Sequence, residues 1–202
     1  MKTRQNKNQL HLYSLIISLN DWKPTIWRKL WIRGDVKLNI LSYYIFSSMN
    51  WSGYHLSAFY IKNKTYSDIS IDDSPEGWID WKKFTIDDIY QFGLTQFQYE
   101  YDFGDSWTMT VKIKAEKNLD PSAPYPVCVN GANAAPPEDI GSYPGYEHFI
   151  KVMKKKKGKE YRELSDWWGE DSFDPVFFVI DEVNDVIQDE ALLNEFLDEQ
   201  ID

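Results

Sequence analysis

The chain has a single cysteine, Cys128, and that scarcity removes two architectures at once. One thiol cannot close a disulfide within the chain, so a stapled secreted scaffold is excluded, as is a zinc site built from cysteine alone. A reducing cytosol is the expected setting. Long hydrophobic runs are missing too. The apolar stretch from Leu10 to Leu19 is broken by His11, Tyr13, Ser14 and Ser18, which reads as a strand and not as a signal peptide. No run approaches the roughly eighteen apolar residues that a membrane helix needs, so no membrane partner is expected. Arginine occurs only at positions 4, 28, 33 and 162. There is no phosphate-cradling Gly-x-x-x-x-Gly-Lys loop, no His-Glu-x-x-His pair and no Gly-x-Ser-x-Gly elbow. The nearest string to the last, Gly141-Ser142-Tyr143-Pro144-Gly145, has its serine one position early.

Positive charge is short in the C-terminal fifth only. The net charge is −10, yet residues 160–202 hold fifteen acidic residues against Arg162 alone, so the rest of the chain is slightly basic. Phosphate contacts depend on clustered Lys and Arg, and this balance argues against a nucleic-acid partner. The cluster Lys151, Lys154, Lys155, Lys156, Lys157 and Lys159 reads as the solvated C-terminal end of a helix, where cations complement the dipole.

What the chain has in quantity is aromatic side chains, with nine Trp and thirteen Tyr. Together with 43% hydrophobic residues over 202 positions, they are enough for one domain with a sizeable core. The expected division is a flexible N-terminus at 1–9, one domain over 10–190, and the end of an acidic C-terminal helix with its tail at 191–202.

Tyr13, Leu15, Ile17 and Leu19 alternate with smaller residues, and after the turn at Asn20, Asp21 and Pro24 a second strand follows with Ile26, Leu30 and Ile32 on one face. Its other face holds Trp27, Lys29, Trp31 and Arg33. That alternation could form a stacking platform for single-stranded nucleic acid, but a helix covering this second face is the expectation favoured here. Leu38, Leu41, Ile45 and Met49 recur at helical spacing, with Asp35 available to start the helix. His55 to Ile61 is a third strand, and 63–83 reads as a long acidic loop around Asp72-Asp73. Thr85 and Asp88 resemble a capping box for a helix from Ile86 to Phe92. Phe97, Tyr99, Tyr101 and Phe103, then Trp107, Met109, Val111 and Ile113, form a hairpin whose tip is Asp-Phe-Gly-Asp-Ser. Residues 118–145 read as a long Pro, Gly and Asn-rich loop, and loops of this length are often functional. Helices follow, one ending at Trp167-Trp168-Gly169 and the last starting from Asp181 as N-cap.

The acidic turn residues are the candidate site. Asp102 and Asp105 at the hairpin tip, Glu138 and Asp139 in the long loop and His55 at the head of the third strand could surround one cleft, holding a divalent cation or serving as acid and base. The structural alternative has Asp102 and Asp105 bonding backbone amides, Gly104 supplying a positive φ and Asp139 capping a turn. Asp102, Asp105, Asp139 and Cys128 are the metal candidates. Tyr101 and Trp107 add rings beside the acids. The leading functional reading is a binding module in which a groove between the Asp102–Trp107 tip and the Pro136–Tyr146 loop takes a protein segment or a small ligand. No catalytic set is complete, and two alternatives stay open. One is a metal-assisted hydrolase using Asp102, Asp105 and Asp139; the other is an acidic C-terminal helix that mimics nucleic-acid charge to occupy a basic partner.

In order along the chain, the residues Pro24-Thr25-Ile26-Trp27-Arg28, Met49-Asn50-Trp51, His55-Leu56 with Phe59, Tyr101-Asp102-Phe103-Gly104-Asp105 with Trp107, Pro136-Pro137-Glu138-Asp139 with Gly141 and Gly145-Tyr146, and Phe173-Asp174-Pro175 with Asn184 resemble the plasmid pRiA4b ORF-3-like family, also labelled IS1096 passenger TnpR-like or MM3350-like. The resemblance implies an α+β fold, a mixed and mostly antiparallel sheet packed by helices, and through its labels an association with mobile elements. It implies no settled activity. Resolvase chemistry fails on the residues, because stabilising a phosphoryl transition state takes several arginines around the nucleophile and this chain lacks them. The family often carries His at the positions of Ser42, Ser57 and Met109 and Cys at that of Ile140, so this member lacks part of any soft-metal ligand set the resemblance implies.

Overall fold

The computed structural model describes residues 10–70 and 74–199. The expectations for residues 1–9, for Asp72-Asp73 and for the last three residues lie outside these. The elements in chain order are β1 (Leu12–Leu19), β2 (Trp27–Arg33), α1 (Leu38–Ser48), β3 (Ser57–Ile61), β4 (Lys64–Ser67), β5 (Ile79–Asp80) and a single 3-10 turn (Trp81–Lys83). They continue with α2 (Ile86–Gln91), β6 (Gln96–Tyr101), β7 (Trp107–Glu116), β8 (Val127–Ala132), α3 (Ser142–Lys155), α4 (Lys159–Trp168), α5 (Ile180–Ile187) and α6 (Glu190–Glu199).

The eight strands form one sheet in the order β5-β4-β3-β6-β7-β1-β2-β8, antiparallel throughout except for the β4–β5 pair. Period-two alternation sends one set of side chains from every long strand to the same face. In β1 these are Tyr13, Leu15, Ile17 and Leu19; their neighbours in β7 are Met109, Val111 and Ile113, and the row continues through Phe97 and Tyr99 in β6 to Phe59 in β3. All are buried, and α1 supplies Leu38, Leu41 and Ile45 to the same core. Each such side chain contributes about 1.5–3 kcal/mol on burial.

The opposite face stays open to water, as one side of an antiparallel sheet can. Trp27, Lys29 and Trp31 are half-exposed there, opposite Ser18, Ile16 and Ser14, and Lys112 and Lys114 are exposed. The expected helical cover over this face is therefore corrected.

Other expectations are corrected by pairing that the local pattern does not reveal. Asp35 does not start α1; its carboxylate takes two hydrogen bonds from Arg33, and the helix begins after Lys37 without a side-chain cap, held by a bridge from Lys37 to Thr85. The loop expected over 63–83 contains β4 and β5, and that over 118–145 contains β8. The single C-terminal helix is two. α5 starts after Val179, and Asp189 breaks the pair and accepts the Ala191 and Leu192 amides at the head of α6. The capping box at Thr85 and Asp88 is present in both directions, and Gly169 ends α4 in the left-handed conformation.

Candidate functional site

The site is built at the end of the sheet where β6 leaves and β7 returns. Five residues, 102–106, join them. Asp102 ends the strand with φ +58° and Ser106 has φ +56°, whereas Gly104 does not take a positive φ, so the left-handed positions expected of the glycine belong to its neighbours. Asp tolerates this conformation through local hydrogen bonding, and here its Oδ1 accepts the Gly104 amide at 2.9 Å. The Asp102 carboxylate is thereby turned back under the tip and buried.

A second segment, Trp51 to Leu56, wraps around one phenol. The Tyr101 hydroxyl accepts the Gly53 amide at 3.0 Å and donates to Glu138. The other Glu138 oxygen accepts the Ser52 amide at 2.8 Å. Burial and then the Glu138 carboxylate drive the Tyr101 pKa far upward. Gly53 is required here: its φ is +88°, and a Cβ would lie 2.3 Å from the Phe46 ring. Trp51 stacks on Tyr101 at 4.9 Å and donates from Nε1 to the Pro136 carbonyl, which ties this segment to the third one, 136–142.

In that third segment Asp139 also has φ +58°. Its carboxylate accepts the Tyr54 hydroxyl, which raises the Tyr54 pKa to about 12. The other carboxylate oxygen lies 3.2 Å from His55 Nε2, and Asp102 Oδ2 lies 3.7 Å from the same nitrogen. His55, Asp102 and Asp139 each offer a donor atom, all within 4.8 Å of one another. The side chains of His55 and Asp102 are 20% and 11% exposed and that of Asp139 is 56% exposed, so the cluster opens to solvent on the Asp139 side. His55 Nε2 is buried and makes no hydrogen bond to either carboxylate. Both carboxylates lie within ion-pair distance of His55 Nε2, but the three donors are not hydrogen-bonded to one another.

Not every expected residue comes to this cluster. Asp105 joins the tip to the long loop, with its carboxylate accepting the Gly141 amide and its carbonyl the Ser142 hydroxyl. Trp107 and Tyr101 are fully buried, with Trp107 against Tyr143. The two segments are therefore sewn together where a groove was expected, and Trp107 is core. Cys128 lies in β8 among core residues; its backbone is clasped by the Asn184 side chain through two hydrogen bonds, and burial raises its thiol pKa. It is no part of the cluster. Glu138 stands next to Asp139 with both oxygens engaged. Tyr54 was missed by sequence reasoning; the only local signal was Gly53 immediately before Tyr54-His55. The exposed rings and aliphatics beside the cluster in sequence are Tyr54, Leu56 and Phe103, the last edge-on to Trp78 at 5.9 Å.

The family model for the plasmid pRiA4b ORF-3-like protein matches residues 11–182. The chain belongs to the plasmid pRiA4b ORF-3-like family. Among its relatives is "Uncharacterized protein y4hQ" of Sinorhizobium fredii, 24% identical over 179 residues, which cover 88% of this chain and 91% of the relative. A similar solved structure is the protein of unknown function MM3350 from Methanosarcina mazei Go1, with a TM-score of 0.73 and 29% identity, covering 86% of this chain and 97% of that one. Family membership thus brings the α+β fold and the motif residues, and the printed names of these relatives give no chemistry. No helix among the described residues is long and apolar enough to cross a membrane.

Proposed function

We propose that this protein is a binding module that captures its ligand through a divalent cation held by His55 Nε2, Asp102 and Asp139. The observation that carries the reading is the convergence of these three donors on one side of a buried imidazole nitrogen that has no hydrogen bond. Metal bonds of about 2.0–2.2 Å place adjacent donors roughly 3 to 3.5 Å apart, and the two spacings to Nε2 are 3.2 and 3.7 Å. One imidazole with two carboxylates suits Mn²⁺, Co²⁺ or Zn²⁺, and two aspartates balance the charge of a dication. Tyr54 and Gly104 orient the two carboxylates as outer partners of metal ligands commonly do. Such a cation would keep open positions toward the exposed side for an oxygen of the ligand, with Tyr54, Leu56 and Phe103 as an apolar rim.

Capture is favoured over hydrolysis by the state of Glu138. A general base beside the metal would favour hydrolysis, and Glu138, which adjoins Asp139 in sequence, has both oxygens committed to Tyr101 and Ser52. The test is cobalt titration of chelator-treated, untagged protein followed by visible absorption. One equivalent of Co²⁺ with a low-symmetry d–d band that disappears in Asp102→Asn and Asp139→Asn is expected. An absorption spectrum indistinguishable from aqueous Co²⁺ would overturn the reading.

A further inference from the structure

A second polar position lies on the buried face of the sheet, away from the cation cluster. Arg28 takes its place in β2 in the series that otherwise reads Leu30 and Ile32, and it is only 4% exposed. A buried guanidinium is ordinarily paired with a carboxylate. Among the described residues no carboxylate oxygen lies within 4.0 Å of this one. Its Nε donates to the Ser48 carbonyl at the end of α1, and its Nη1 faces the carbonyls of Trp27, Ala132 and Asn133. Desolvation lowers its pKa to about 10, so it remains a cation at neutral pH.

These carbonyls aim the group without neutralising it. Arg has five N–H donors, and Nη2 makes no hydrogen bond to any described residue. The side chain lines a cavity of about 480 Å³ between the end of α1, residues 134–138 and residues 167–186. The Phe178 ring lies over the guanidinium at 4.5 Å, an approach that requires Gly131, since a Cβ there would lie 2.5 Å from that ring. Ser47, Ser48 and Asn50 line the α1 side, and the opposite wall is largely aromatic, with Trp168 and Phe173 inside, and Trp167, Phe177 and Val179 exposed at 48%, 50% and 37%. Exposed rings of this size grouped at the mouth of one cavity mark a binding surface. Two carboxylates also line it: Glu138, engaged elsewhere, and the exposed Glu182. Their charge leaves Arg28 as the one place where an anion is welcome.

We infer that this cavity binds a small aromatic carboxylate, its carboxylate on Nη2 of Arg28 and its ring between Phe177, Phe178 and Trp168. The site is separate from the cation cluster, and binding proceeds with chelator present. The probe is 1-naphthoate, titrated into the full chain in EDTA by calorimetry, with Trp fluorescence as a second readout because Trp167 and Trp168 line the cavity. A hydrogen bond to a charged group is worth roughly 1.5–3 kcal/mol, so 1-naphthoate should bind at least about tenfold more tightly than the neutral 1-naphthalenemethanol. Phe177→Glu, at an exposed position, should weaken naphthoate binding by about tenfold or more while the fold is retained, because it sets a like charge at the mouth. Arg28→Gln, which keeps a polar side chain and removes the charge, should remove the preference for the acid over the alcohol. Should that variant fail to fold, Ala135→Leu, which fills the cavity from its rim, should abolish binding of both probes. Equal affinity for acid and alcohol, no binding at all, or naphthoate binding indifferent to both Phe177→Glu and Ala135→Leu would overturn the inference. Inorganic phosphate that displaces naphthoate at equal concentration would overturn its aromatic half.

Discussion

Among the described residues histidine meets aspartate in two groupings, and the same residue types are in opposite physical states. At the start of β1, His11 Nδ1 sits 3.2 Å from both oxygens of Asp87, and the Tyr13 hydroxyl donates to Asp87 at 2.6 Å. Every contact there is a hydrogen bond between protein groups, and the cluster braces β1 against α2. At the other site His55 Nε2 has two carboxylates at 3.2 and 3.7 Å and a hydrogen bond to neither. In each group a tyrosine donates to the aspartate nearest the histidine, Tyr13 to Asp87 and Tyr54 to Asp139, so the difference lies in the histidine: His11 is hydrogen-bonded to its carboxylate and His55 is not. Proximity of His and Asp does not distinguish a brace from a site. Whether the polar atoms satisfy one another does.

The comparison can be broken by substitution, and the largest effect should come from Tyr101→Phe. Its hydroxyl joins the Gly53 amide to the Glu138 carboxylate, so its loss leaves both unpaired and should cost roughly 2–4 kcal/mol in urea unfolding, whereas Tyr13→Phe should cost about 1 kcal/mol. Next in size is the effect of the cation. At about a hundred times its dissociation constant it should stabilise the native chain by about 2.7 kcal/mol, measured as a rise in the thermal midpoint, with no rise in Asp102→Asn. Asp87→Asn should do the reverse: a loss of roughly 1–2 kcal/mol of stability, with cation affinity unchanged by calorimetry.

The smallest effect is a titration. Tyr54 ionises near pH 12 because Asp139 accepts its hydroxyl, and Asp139→Asn should bring the absorbance transition of that tyrosine back toward its ordinary value of about 10. The sign for stability follows. A tyrosine whose pKa is raised on folding keeps its proton while the unfolded chain loses one, so its contribution is full below about pH 10 and is lost as pH rises from there through the folded value. Buried Tyr44, raised to about 12 by desolvation, acts in the same direction. Stability should therefore fall above about pH 10, as followed by unfolding at stepped pH.

How much of this was legible in sequence depends on the range of the interaction. The capping box at Thr85 and Asp88, the strand alternation of β1, β6 and β7 and the glycine stop after Trp168 are local patterns, and each is realised in the fold. Membership in the family was readable from residues in order along the chain, and with it the α+β sheet. Of the acidic candidates, Asp102 and Asp139 meet at His55, while Asp105 and Cys128 are spent on backbone contacts. That sorting depends on φ values near +58° at two aspartates and on a phenol bonding residues 37 and 48 positions away. No periodicity carries such information. The start of α1 was misplaced for the same reason, since its brace is Thr85 and not the nearby Asp35.

The unsatisfied group should hold a cation and the satisfied one should not. Equilibrium dialysis of untagged, chelator-stripped protein against Mn²⁺, Co²⁺ and Zn²⁺, with elemental analysis of the retained metal, tests it most directly. One ion per chain is expected for at least one of these metals, lost in Asp139→Asn and kept in Asp87→Asn. Retention of no metal, or retention that survives Asp139→Asn, would contradict it.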